Sequence, residues 1–169
     1  MRAPLRLAWA VVGGLALAGT AFLVIGLLLP RRWEVQRSRA LAATPEQVFP
    51  FVSDLDEWPR WMPWDDLDGM GATDPQVRTW DDPRIGQGAL RLTEVHPDTV
   101  VRYEVEVEGG LSTAGSLRLQ ATPDGSVLTW SETGEFGRNP LLGYVALGMD
   151  RLQGAEMEKS LDRLAQLLR

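Results

Sequence analysis

The sequence predicts an α+β domain in which a curved antiparallel sheet wraps one long C-terminal helix. Two short helices close one end, and one transmembrane helix precedes the whole. Three observations predict this. Leu7 to Leu29 is a run of 23 residues without a charge. Residues 76–136 alternate with a period of two, broken by short turn-like links. From Asn139 onward the period becomes helical and stays so.

A helix over residues 7–29 would span ~35 Å, enough to cross ~30 Å of hydrocarbon. Trp9 and Trp33 stand near its two ends, as interfacial anchors do. A cleaved signal peptide is the rival, with an apolar core of only ~7–15 residues before a small-x-small site. Ala16–Leu17–Ala18 has that form, but the apolar run continues eleven residues beyond it, which favours an uncleaved anchor. Arg2 and Arg6 flank one end; Arg31, Arg32, Arg37 and Arg39 flank the other. That excess favours a single-pass protein of the cell membrane with a cytoplasmic C-terminal domain. Counting Arg37 and Arg39 as part of a folded strand leaves the flanks nearly equal. Ala10, Gly14 and Ala18 form a small-xxx-small stripe that could pair helices, or reflects composition alone. The expected division is a flank (1–6), a transmembrane helix (7–29), a juxtamembrane linker (30–33) and a ligand-binding domain (34–169).

Residues 33–43 read as extended. Thr44 as N-cap, Pro45 at the first helical position and Gln47 three residues after the cap start a short helix. Pro50 should kink or divide it. Asp54 or Asp56 can cap a second short helix carrying Trp58 and Trp61. Residues 88–95, 99–108, 113–122 and 126–136 read as strands, and the brief links between them imply antiparallel neighbours. Val101, Tyr103, Val105 and Val107 share a face opposite Arg102, Glu104 and Glu106, giving one wet and one buried side. Asn139 then caps, and Pro140 opens, a helix of ~28 residues and ~42 Å. Leu142, Val145, Met149, Leu152, Met157, Leu161, Leu164 and Leu168 trace its apolar stripe.

Composition removes several functions. There is no cysteine, hence no disulfide framework or thiolate metal site. His96 is the single histidine, which argues against metal centres and a histidine triad. Residues 33–169 carry 13 basic against 23 acidic residues, a net of −10 that should repel nucleic acid.

Candidate chemistry is sparse. Trp58, Trp61 and Trp64 sit three apart, stiffened by Pro59 and Pro63. Burying each removes ~150–250 Å² from water, so together they must cover something apolar. They either plug the open end of the sheet as core or line a cavity mouth. Glu94 shares a strand face with Leu90 and Leu92, and Glu132 with Leu128 and Trp130. Two carboxyls in an apolar pocket could exchange protons as general acid and base. The alternative is that they reach water or pair with Arg91 or Arg102. His96 stands in a turn before Pro97 and reads as surface. Residues 65–74 fail the calcium-loop template, because Trp64 and Pro75 occupy its first and twelfth positions. Gly86–Gln87–Gly88 lacks the strand-to-helix setting of a phosphate loop and reads as a turn. Gly148 and Gly154, inside the long helix, permit either a bend or close approach of a ligand.

The chain resembles the polyketide cyclase/dehydrase and lipid-transport family, of the START-like helix-grip superfamily that includes the birch pollen allergen. The matching stretches are residues 35–64, 86–98, 127–136 and 139–164, above all the Trp-x-x-Trp-x-Pro-Trp word and the Asn-Pro…Met-Asp…Gly helix. It looks like the subgroup with an N-terminal membrane helix. The segment 65–87 is shorter than that family's hairpin, so one or two strands there should be missing or stubby. The resemblance implies a helix-grip fold with a cavity between the last helix and the sheet. Its lining would come from Trp58, Trp61, Trp64, Trp80, Leu90, Leu92, Tyr103, Val105, Leu117, Leu119, Trp130, Glu132, Met149, Leu152 and Met157. A small apolar or amphipathic ligand is expected, with no cofactor and no metal. The competing readings are a cyclase or dehydratase using Glu94 or Glu132, and a structural module with a filled core.

Overall fold

A computed structural model of the chain describes residues 3–62, 69–84, 86–137 and 139–169. The apolar N-terminal run forms α1 (Ala3–Leu28). It leads into β1 (Arg32–Leu41), whose Trp33 is already buried. Next comes α2 (Pro45–Ser53), where the Thr44 amide donates to Gln47 Oε1 at 2.9 Å. Pro50 neither stops nor divides α2, which runs through it to Ser53. A 3-10 turn, Trp58–Arg60, follows.

The strands β2 (Gly71–Asp74), β3 (Val77–Asp82), β4 (Gly86–His96), β5 (Val100–Val107), β6 (Leu111–Thr122) and β7 (Gly125–Glu135) join β1 in one seven-stranded sheet. Its order is β1-β7-β6-β5-β4-β3-β2, antiparallel throughout. The hairpin between the tryptophan segment and β4 is therefore present, though β2 has only four residues. Gly86 and Gly88 open β4 rather than forming a separate turn.

The last element, α3 (Pro140–Leu167), lies across the inner face of the curved sheet. Asn139 Oδ1 accepts the Leu141 amide at 3.0 Å as its N-cap. The buried stripe of α3 contains Gly154, Met157, Ser160, Leu161 and Leu164. Leu152 and Val145 fall outside it, 62% and 39% exposed. Each step along a helix turns ~100°, so a stripe through Met149, Gln153 and Met157 leaves Leu152 beside it. A polar residue, Gln153, holds the inward position that hydrophobicity alone would have given to Leu152.

Gly154 explains how α3 is clamped. A β-carbon there would lie 2.0 Å from the Arg37 guanidinium. Arg37, on β1, donates to Asp150 Oδ1 at 2.8 Å, to the Asp150 carbonyl at 3.0 Å and to Glu158 at 2.5 Å. The glycine thus admits a side chain of the sheet, not a ligand or a bend.

Helix α1 does not stand apart. The Tyr144 hydroxyl donates to the Phe22 carbonyl at 2.7 Å, and the two rings stack at 4.4 Å. Gly26 and Gly143 bring the backbones together at the same place: a β-carbon on Gly26 would meet the Pro140 carbonyl oxygen. The small residues in contact are these, within one chain. A β-carbon on Gly14, of the Ala10–Gly14–Ala18 stripe, would meet no other element of the chain within 4 Å.

Candidate functional site

Three aromatic residues lie flat against glycines of the neighbouring strand. Trp33 of β1 faces Gly134 of β7, Trp80 of β3 faces Gly88 of β4, and Tyr103 of β5 faces Gly115 of β6. A β-carbon on any of these glycines would sit 2.0–2.5 Å from the ring atoms. The rings therefore hug the sheet instead of standing up into the interior. Space is left above them, and it forms a cavity of about 450 Å³. Small-molecule sites usually measure ~300–1,000 Å³, so the interior is not a filled core.

Trp33, Trp80, Tyr103, Val105, Trp130 and Glu132 contribute from the strands, and Met149, Gln153, Glu156 and Ser160 from α3. Met62, Val107, Leu111, Thr113 and Phe136 complete the lining. A second depression, about 580 Å³, lies over Arg32, Glu34, Ser112, Thr133 and Glu135 on the other face of the sheet. Its lining is made of exposed charged and hydroxyl side chains together with Trp33, Ala114 and Gly134.

The polar centre of the cavity is Glu132, 6% exposed. The Tyr103 hydroxyl donates to its Oε1 at 2.5 Å and the Gln153 amide to its Oε2 at 2.7 Å. Trp130 Nε1 donates in turn to the Tyr103 hydroxyl at 2.8 Å. Gly115 lies in register with both Tyr103 and Glu132, so the tyrosine reaches the carboxylate across a strand that has no side chain to obstruct it. Burial raises the Glu132 carboxyl above its ordinary 4.5, and the hydrogen bonds from Tyr103 and Gln153 oppose that rise. Burial first, and the adjoining carboxylate second, raise the Tyr103 phenol well above 10.0, so its proton stays.

The expected site residues separate into groups. Trp80, Tyr103, Val105, Trp130, Glu132 and Met149 line the cavity. Trp58 and Trp61 are fully buried behind the lining. Trp58 meets Tyr103 edge-on at 5.1 Å, and Trp61 meets Trp130 edge-on at 5.7 Å. Their indole nitrogens donate to the Val52 and Phe51 carbonyls, which ties both rings to α2. They hold the two aromatic residues of the Glu132 network from behind. Trp64 lies outside the described residues, as do Asp66 and Asp68. Leu90, Leu92, Leu117, Leu119 and Met157 are buried core beyond the lining, and Leu152 is on the outer side of α3.

Glu94 does not face the cavity. A bulge between Leu92 and Glu94 turns the alternation over. Glu94 then sits on the wet face with Arg102, 3.1 Å away, and His96, while Val95 takes the inner side opposite Val101. Trp33, Met62, Val107, Leu111, Thr113, Phe136, Gln153, Glu156 and Ser160 line the cavity but were not among the expected residues. A signal for Trp33 existed in Gly134, the glycine near the end of β7 opposite it. Among the described residues, no cluster of three or more His, Cys, Asp or Glu could hold a metal ion.

A seven-stranded antiparallel sheet gripping a long C-terminal helix around a cavity defines the helix-grip class. Residues 32–169 match the family described as polyketide cyclase/dehydrase and lipid transport, and the chain belongs to it. Among solved structures, a protein from Chromobacterium violaceum is 18% identical, with a TM-score of 0.59 over 80% of this chain and 96% of its own. The XoxI protein from Bacillus cereus is 19% identical, with a TM-score of 0.56 over 80% and 95%. The di-domain aromatase/cyclase StfQ of the steffimycin biosynthetic pathway is 16% identical, with a TM-score of 0.60 over 81% of this chain and 50% of its own. At these identities the likeness is one of fold. No curated protein sequence matches the chain.

Proposed function

We propose that this chain is a membrane-anchored binding protein for a small apolar or amphipathic molecule, held between α3 and the sheet. The observation that carries this reading is the 450 Å³ cavity, with aromatic and aliphatic walls and one buried polar cluster at Glu132. A site of that kind takes an apolar body by desolvation and orients it through few polar contacts. Lipids, isoprenoid quinones and polyketide-like aromatics all suit it. Helix α1 supports the anchor: Val11–Leu28 has a mean hydropathy of 2.3. Its contact with the first turns of α3 would hold the cavity near the bilayer, where a membrane-soluble ligand is concentrated. Arg37 and Arg39 belong to β1, so Arg31 and Arg32 after α1 only balance Arg2 and Arg6 at its N-terminal end, and the arginines do not select a side of the membrane for the domain.

A cyclase or dehydratase is the second reading, and Glu132 is what favours it. A carboxyl raised by burial is suited to proton transfer. Tyr103 keeps its proton and Glu94 is outside, so the described cavity offers one buried acid/base group, Glu132; the second carboxylate on the lining, Glu156, is exposed and paired with Lys159.

The test uses the full chain in lipid nanodiscs, titrated with quinones, long-chain alcohols and polycyclic aromatics. Binding should change the fluorescence of the cavity tryptophans and remain visible as a complex by native mass spectrometry. Thr113→Phe, which fills the cavity, should weaken that binding by about tenfold or more. Absence of any fluorescence change or complex across these classes would sink the proposal.

A further inference from the structure

We infer that the ligand of this cavity carries no negative charge: a neutral ketone, quinone or alcohol fits, and a fatty acid or phosphate-bearing lipid does not. The inference rests on the binding role proposed above and names the ligand class for it.

Charge around the cavity is one-sided. Glu132 is buried in its wall and Glu156 lies at its edge. Among the described lining residues there is no arginine, lysine or histidine. Of the basic side chains in the surrounding elements, Arg91, Arg118, Arg151 and Arg163 are exposed to solvent and off the lining, and others are held by acids. Arg37 is bound to Asp150 and Glu158, Arg78 to Asp56, and the exposed Lys159 to Glu156. An anionic head entering here would give up water without meeting a cation, which a protein interior strongly disfavours. It would also approach the Glu132 carboxylate, and the domain's net −10 adds a repulsive field at longer range.

A neutral molecule meets suitable partners. The Gln153 amide and the Thr113 and Ser160 hydroxyls are on the lining, and each can donate or accept. Trp80 also lines the cavity, but its indole nitrogen is buried on the Gly88 side of the ring, so the ring offers the ligand an apolar face rather than a donor. The Glu132 carboxylate already accepts from Tyr103 and Gln153 and needs no ligand cation.

The experiment compares a long-chain alcohol with the fatty acid of equal chain length, at a pH where the acid is ionised. Full-length chain in nanodiscs is titrated by tryptophan fluorescence, and empty nanodiscs give the partition correction. The alcohol should bind, and the acid should bind at least about tenfold more weakly. Glu132→Gln keeps an acceptor for Tyr103 and removes the charge, so it should narrow the gap between alcohol and acid. Equal or tighter binding of the acid by the wild-type chain overturns the inference while leaving the binding role intact. A gap unchanged in Glu132→Gln overturns the part assigned to that carboxylate. Silence from both ligands defeats the binding role itself and the inference with it.

Discussion

Glu94 on β4 and Glu132 on β7 each follow two leucine or tryptophan residues at alternate positions, yet they end on opposite sides of the sheet. At β7 the register with β6 is unbroken, so Leu128, Trp130 and Glu132 all point inward. At β4 the count holds through Leu90 and Leu92, and then Thr93 is the extra residue of a bulge. One inserted residue moves the carboxylate from an apolar cavity to a solvated cluster with Arg102 and His96. The chemistry of an acid here depends on strand parity more than on its neighbours in sequence.

The largest effect should come from the glycine that makes the inward acid possible. Gly115 lies in register between Tyr103 and Glu132, and a β-carbon there would meet the tyrosine ring at 2.0 Å. Gly115→Val has to push that ring off the sheet and away from the carboxylate. Destabilisation of about 3 kcal/mol is expected, at the upper end for an overpacked core, and read from the urea midpoint. Ligand affinity should fall with it, because the displaced ring enters the cavity.

Glu132→Gln sharpens the contrast through pH. The folded-state value of Glu132 lies above its unfolded value, so the native state holds the proton longer. Stability of the wild type should therefore decline as the pH rises from the ordinary 4.5 through the raised folded value, and level off above it. Glutamine has no such slope. The variant should match the wild type in acid and exceed it near neutrality by on the order of 1 kcal/mol, measured by thermal melts across pH. Parallel melting curves for the two proteins would contradict an ionised, buried Glu132.

Much of this arrangement was legible in the sequence. Alternation placed Tyr103, Val105 and Trp130 on the inner face, and the Asn139–Pro140 pair fixed the start of α3. What escaped detection depends on two strands at once. Gly88, Gly115 and Gly134 mean little singly; their role lies in the aromatic rings paired with them across the ladder. Gln153 was missed for a related reason. Hydrophobic periodicity chose Leu152, and nothing local says that a polar residue should point inward. Its partner, Glu132, is 21 residues away and in another element. The bulge after Leu92 is equally silent, since Thr93 is an ordinary strand residue.

The smallest expected effect is at the outward acid. Glu94 is 38% exposed, and its partners His96 and Arg102 are 60% and 50% exposed. Pairs this wet gain little over solvent, and salt screens what they gain. Glu94→Gln should shift stability by no more than about 0.5 kcal/mol, shrinking further in high salt. Ligand binding should be unchanged, since Glu94 does not line the cavity. Both halves of this prediction follow from the bulge. If the strand instead ran straight through Thr93, Glu94 would be buried with Leu90 and Leu92. Replacing it would then alter stability with a pH dependence like that at Glu132, and would change ligand affinity as well. Carrying Glu94→Gln through the same melts and titrations as Glu132→Gln therefore tests the bulge itself, with no structure determination needed.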